Sequence, residues 1–81
     1  MKIAYDNHKR QSNIVKHGYD FDDLDGEFFM SSLVIPAKEG RFMAIGVLRN
    51  GVIAVVFAHL GTEGISIISM RDASQKERNL L

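Results

Sequence analysis

The segment from Arg41 to Leu60 limits the possible folds most. Arg41 to Arg49 and Val52 to Leu60 are two strand-like runs joined by Asn50-Gly51, the dipeptide that most favours a tight two-residue hairpin turn. The turn sets a register. If Arg49 pairs with Val52, then Leu48 faces Ile53, Ile45 faces Val56, Phe42 faces His59 and Arg41 faces Leu60. Both faces of such a hairpin are apolar and both need cover. Helices of this chain would take one, and more of the chain, a second copy or a partner protein the other.

Gly61-Thr62-Glu63-Gly64 makes the next turn. A four-residue loop there pairs Leu60 with Ile65, His59 with Ser66 and Ala54 with Arg71, which puts Arg49 and Arg71 on one face near one end. Ile65 to Met70 suits a central strand, since three of its four apolar residues are β-branched. Asp72 followed by Gln75 resembles a capping box, so the strand feeds a short charged helix and Arg71 stands at the junction. Backbone N–H groups and a fixed cation converge at such a place, which suits an anionic substrate.

Upstream, Met1 to Tyr5 reads as a short edge strand. Asn7 caps a helix that runs through His17 and ends at Gly18, with Ile14 and Val15 facing the core. Lys16 and His17 in its last turn suit the negative end of the helix dipole. Phe21, Leu24 and Phe28 keep helical spacing within the acidic stretch Asp20 to Phe29, which predicts a second helix with an acidic outer face, either solvated or open to a basic partner segment. A calcium loop does not fit. Aligning Gly26 with its obligatory glycine places Phe21 at the first ligand position and Ser32 at the last. Met30 to Ile35 is a strand ended by Pro36, and Ala37 to Gly40 is a turn.

The resulting order is strand, helix, helix, four strands, helix. This is an α+β fold, an antiparallel meander sheet with two N-terminal helices and a short C-terminal helix, in a single domain over residues 1–81. Ten basic and ten acidic residues give no net charge, so any polyanion must be held by a local patch. The absence of Cys excludes thiol nucleophiles and zinc-thiolate sites and fits a reducing cytoplasm. The first ten residues lack the apolar core of a signal peptide, and no apolar run spans a bilayer, so the expectation is a cytoplasmic protein with no membrane partner.

No phosphate-binding glycine loop, hydrolase elbow or close metal-ligand spacing is present. The remaining chemistry is a set of cations and histidines: Lys16, His17, Arg41, His59, Arg71 and Arg78. Cleavage of RNA without a metal needs a base for the 2′-hydroxyl, an acid for the leaving oxygen and cations for the charge on the phosphorane, and these residue types suffice. Each also has a structural account: Lys16, Arg41 and Arg78 as solvated charge, His59 as a strand-end residue bonded to Ser66, and Glu77 as an ion-pair partner for a neighbouring cation.

Three blocks carry a resemblance to a known family. They are Tyr5-Asp6 with Lys9 and Asn13 leading to Lys16-His17-Gly18 and Phe21; Arg41 with the strand ending at Gly46; and Ile67-Ile68-Ser69-Met70-Arg71 followed by Ala73-Ser74 and Glu77-Arg78. Over nearly its whole length the chain resembles the BrnT family of type II toxin-antitoxin ribonuclease toxins. The resemblance implies a RelE-like fold and a translation-arresting ribonuclease with no cofactor and no metal. It also implies neutralisation by a cognate BrnA-like antitoxin carrying a ribbon-helix-helix part. RNA is then the substrate, operator DNA is reached only through the antitoxin, and a heterotetramer with the antitoxin is compatible with the family. Residue by residue, the positions that match family motifs are Lys16, His17, Arg41, Arg71 and Glu77 with Arg78; among them His17 is assigned to proton transfer and Lys16, Arg41 and Arg71 to phosphate and transition-state charge, with Arg78 a weaker catalytic candidate.

The chain departs from the family pattern at several positions. Relatives often have Trp at Tyr5, a hydroxylated aromatic at Phe57, a charged pair at His59-Leu60 and Arg at Ser66. Either His59 partly replaces that Arg, or the protein is a catalytically weak or inactive interaction module that still serves as antitoxin partner or co-repressor.

Overall fold

The computed structural model describes residues 1–81. The chain runs β1 (Lys2–Tyr5), α1 (Asn7–His17), a 3-10 turn (Phe21–Asp23), α2 (Gly26–Ser31), β2 (Leu33–Pro36), a second 3-10 turn (Lys38–Gly40), β3 (Phe42–Leu48), β4 (Gly51–Leu60), β5 (Gly64–Asp72) and α3 (Gln75–Arg78). The strands β2 to β5 form the predicted antiparallel meander. β1 joins the free side of β5 and runs parallel to it, so the sheet order is β1-β5-β4-β3-β2. No helix is long and apolar enough to cross a membrane.

The central hairpin forms one residue earlier than Asn50-Gly51 predicts. Leu48 pairs with Gly51, so the turn residues are Arg49 and Asn50, with Arg49 at φ 55°. Ile45 therefore faces Ala54 and Phe42 faces Phe57, each partner displaced by two from the predicted one. A shift of two leaves every side chain on its expected face. In this register Phe42 packs on Phe57, with ring centroids 6.0 Å apart and planes at 29°.

The next loop has three residues, Gly61 to Glu63, and pairs Leu60 with Gly64 and His59 with Ile65. A bulge at Ile68, between the Phe57–Ile67 and Val56–Ser69 pairs, then restores the predicted pairing of Ala54 with Arg71.

One face of the sheet carries Ala44, Ile53, Val55, Phe57, Ile65, Ile67 and Met70, and Phe21, Leu24 and Phe28 close over it. These three aromatic and aliphatic residues are buried as their spacing predicts, but they do not share one helix. The 3-10 turn and α2 are separated at Leu24 and Asp25 because each has its own aspartate cap: Asp20 accepts from Asp22 N and Asp25 from Phe28 N. Much of the acidic stretch is thus engaged within the chain. Asp20 also holds Arg10 at 2.7 and 2.8 Å, Asp22 accepts from Tyr5 Oη at 3.0 Å, and Asp23 pairs with Arg49 at 3.2 Å.

α1 is capped by Asp6 rather than Asn7, its carboxylate accepting from His8 N and Lys9 N, and it ends on Gly18 at φ 76°. Of the expected core-facing pair, Val15 is 86% exposed, and the buried residue of this helix is Asn13. The reason lies in the sheet. β1 stops at Tyr5, opposite Ile67, so from Ile68 onward that edge of β5 has no strand beside it. The Asn13 amide fills the gap, accepting from Met70 N at 3.0 Å and donating to the Met70 carbonyl at 2.9 Å. A single side chain takes the place of a strand residue.

The other face of the sheet has no helical layer like the first. It presents Met43, Ile45 and Val47 of β3, Val52, Ala54, Val56, Ala58 and Leu60 of β4, and Ser66, Ser69 and Arg71 of β5. Ile45 and Ala54 are fully buried, whereas Leu33 on β2, Val47 and Leu60 are exposed.

Candidate active site

Where α1 meets the bulged part of β5, a cleft of about 330 Å³ opens. His8, Lys9, Ser12, Lys16 and His17 line it from the helix, and Ile68 and Ser69 from the strand. Asn13 at its base fixes the helix against the strand, so the position of Lys16 and His17 relative to Ser69 is set by the amide bonds to Met70. Ser69 and Arg71 alternate with Met70 and therefore share the open face of the sheet. The structure thus groups three of the five sequence-derived site residues around one end of β5.

Arg71 is not a free cation. It makes a bidentate bridge to Glu77 of α3, at 2.8 and 2.9 Å, and Nη1 also donates to the Asp72 carbonyl at 3.1 Å. Glu77 in turn accepts from Ser74 N, and Ser74 Oγ accepts from Glu77 N, so the capping box that opens α3 is Ser74–Glu77 and not Asp72–Gln75. Asp72 instead ends β5 and accepts from the Tyr19 hydroxyl, which raises the Tyr19 pKa. The structural account of Glu77 as partner of a neighbouring cation is what the geometry shows.

That bridge has a pH signature. Arg71 first, and then the Ser74 N–H, hold the Glu77 carboxyl down to about 2, against an ordinary value of 4.5. A depressed folded-state pKa contributes stability that is fully present above the unfolded value and is lost as pH falls through the folded one. Wild-type protein should therefore lose more stability between pH 4.5 and pH 2 than Glu77→Gln, measured by urea unfolding at each pH. Equal losses would show that the bridge is not formed in solution. Asp20, held at about 2 by Arg10, titrates in the same window, and Asp20→Asn measures its share.

The other two positions stand apart. Arg41 precedes β3 on the open face, where it lines a shallow hollow with Pro36, Ala37, Met43 and Val56. It lies two strands away from Arg71 and four residues along, roughly 16 Å at the backbone by strand spacing and rise. Arg78 turns back to donate to the Ala73 carbonyl at 3.3 Å, close to the Tyr19–Asp72 pair on the helix side. The expected neighbourhood of Arg49 and Arg71 does not exist, because Arg49 sits in the turn and reaches Asp23 in the helix layer.

His59 requires a further correction. It faces Ile65 and packs edge-on against Phe42, with centroids 4.9 Å apart, on the helix-covered face. Ser66 pairs with Ala58 and points to the opposite face. His59 neither bonds Ser66 nor can replace a cation there. Conversely, Ser69, Ser12, His8 and Lys9 line the cleft without having been singled out by the residue chemistry. Their readable signal is the helical step from His8 through Ser12 to Lys16.

Comparison with known proteins follows the same lines. Residues 5–77 match the family model described as "Ribonuclease toxin, BrnT, of type II toxin-antitoxin system". Curated proteins returned no match. Among solved structures, the crystal structure of the ribonuclease toxin BrnT of Brucella abortus is similar with a TM-score of 0.86 at 55% sequence identity, covering 93% of this chain and 99% of that one. The family match spans the cleft, the open sheet face and the Arg71–Glu77 joint, and the chain belongs to the BrnT family of ribonuclease toxins of type II toxin-antitoxin systems, with a RelE-like fold.

Proposed function

We propose that this toxin cleaves RNA without a metal at the α1–β5 cleft, arrests translation in the cytoplasm and is neutralised by a BrnA-like ribbon-helix-helix antitoxin. The observation that carries the reading is the convergence of Lys16, His17 and Ser69 in one cleft, with Arg71 on the same strand face. His17 takes the 2′-hydroxyl proton and, as the imidazolium, returns a proton to the departing 5′-oxygen. The 2′-oxygen attacks phosphorus, the bond to the 5′-oxygen breaks, and Lys16 offsets charge on the phosphorane. Arg71 orients this end of the site through Glu77 and meets substrate with its outer edge. Arg41, farther along the face, contacts a neighbouring phosphate, and Arg78 contributes through the strand-helix joint.

The exposed apolar residues Leu33, Val47 and Leu60 of the open face support antitoxin docking there, which would cover the approach to Arg41 and Arg71. Operator DNA is then bound by the antitoxin alone.

The test is induced expression in a bacterium with and without the neighbouring antitoxin gene, together with cleavage of purified RNA in buffer containing a chelator. His17→Ala and Lys16→Ala should each relieve growth arrest and lower the cleavage rate about 100-fold or more, while antitoxin binding persists. Full toxicity in both variants would sink the site. A second reading, a weak or inactive toxin that keeps its antitoxin surface, is favoured by the engagement of Arg71 with Glu77 and by Ser66 in place of the family Arg. Wild-type protein that binds the antitoxin but leaves RNA intact would establish it.

A further inference from the structure

We infer that the cleft-side flank of α1 is a track for the phosphodiester backbone of single-stranded RNA, with His8, Lys9 and Ser12 leading the strand toward Lys16 and His17. This rests on the ribonuclease reading above and extends that site by about two helical turns. α1 holds two Lys, one Arg and two His and no acidic residue. Arg10 is taken by Asp20 in the helix layer, which leaves His8, Lys9, Lys16 and His17. All four are exposed, all four line the same cleft, and no acidic side chain lines it with them. In a chain with no net charge, this one-sidedness is local.

Placement in the helix strengthens the case. His8 and Lys9 occupy the first turn, where the helix dipole favours anions and disfavours cations. The first turn contains no acidic residue; the Asp6 cap before it accepts from the His8 and Lys9 backbone N–H groups with Oδ1 at 2.7 and 3.2 Å and offers its charge to the same two side chains, for which an RNA phosphate would compete. His8 and Lys16 lie about 12 Å apart along the axis, long enough for more than one phosphate. Ser12 and Ser69, on the two walls, supply hydroxyls that make no hydrogen bond within the chain and suit phosphate oxygens.

The measurement is anisotropy of a labelled single-stranded RNA carrying 2′-O-methyl groups throughout, which removes the attacking hydroxyl and separates binding from turnover. The full-length protein is titrated at several salt concentrations. His8→Gln/Lys9→Gln should weaken binding about 5- to 10-fold and make the log–log salt slope shallower by about 1, whereas Lys76→Gln on α3 leaves both unchanged. Ser12→Lys, which adds a cation to the track, should tighten binding about 3-fold and steepen the slope. On unmodified RNA, the double variant should raise KM at unchanged kcat. Wild-type affinity and slope in the double variant, or no gain from Ser12→Lys, overturns the track. So does a double variant that loses antitoxin while still binding RNA, since the occupant would then be an anionic segment of the antitoxin. Failure of the two readings is distinguishable. A protein that binds along the track without cleaving retains this inference and loses the catalytic one, and a protein that cleaves with KM unmoved in the double variant does the reverse.

Discussion

Asn13→Ala should lower the free energy of unfolding by about 2 to 4 kcal/mol, read as a shift of the urea midpoint at unchanged slope. Asn13 is 5% exposed and its amide satisfies three backbone groups: the Met70 N–H, the Met70 carbonyl and, at 2.9 Å, the Tyr19 carbonyl. Truncation leaves the two Met70 groups at a strand edge under a helix, where each unsatisfied group costs about 1 to 3 kcal/mol. Asn13→Asp should be no milder, because a carboxylate accepts from Met70 N but cannot donate to either carbonyl, and its charge would lie buried against them. For a domain stabilised by about 5 to 15 kcal/mol, this is a large fraction. A loss below about 1 kcal/mol in both variants would mean that water reaches the Met70 edge. The same substitutions should also reduce RNA cleavage beyond what unfolding explains, since Asn13 sets the height of Lys16 and His17 over Ser69.

The second large effect is expected at Gly46. A Cβ there would stand 2.5 Å from Ser32 Oγ and 3.1 and 3.3 Å from the Phe28 ring. Neither neighbour yields easily. The Phe28 ring is in the core, and Ser32 Oγ donates to the Phe28 carbonyl at 2.6 Å, closing the end of α2. Gly46→Ala should therefore cost about 1 to 3 kcal/mol by pushing α2 off β3. Combined with Ser32→Ala, the loss should be less than the sum of the single losses, because one obstruction is gone. Strict additivity would indicate that the Phe28 ring alone decides the site.

Alternation, turn chemistry and caps made much of the fold legible, and the misreadings have particular causes. Asn50-Gly51 announced the hairpin, but registers that differ by two put the same side chains on each face, so the pattern of apolar residues cannot choose between them. Packing chooses: the observed pairing stacks Phe42 on Phe57 and lets Arg49 reach Asp23. In β5 a three-residue loop and a bulge offset each other, so Ala54 pairs with Arg71 just as a four-residue loop without a bulge would have it. The bulge was written in the doubled Ile67-Ile68 and in the three-residue step from Ile67 to the next inward residue, Met70. For the site, Lys16 and His17 could be placed at a helix end from sequence, but the strand they face could not. That depended on Asn13, a polar residue that an apolar-periodicity reading assigns to solvent. A four-residue loop would set His59 beside Ser66, but the loop before β5 has three residues, and that single residue moves a side chain to the other face.

The parallel pairing of β1 with β5 has a consequence for synthesis. Lys2 and Ile3 find their strand partners only at Gly64 and Ile65, and the amide of Asn13 only at Met70. Contacts so distant in sequence close a domain late. Until β5 has been synthesised, the N-terminal strand and the helix bearing Lys16 and His17 lack the strand they dock on. A toxin built this way has no cleft until its last strand has been made, so its N-terminal half alone cannot carry the site.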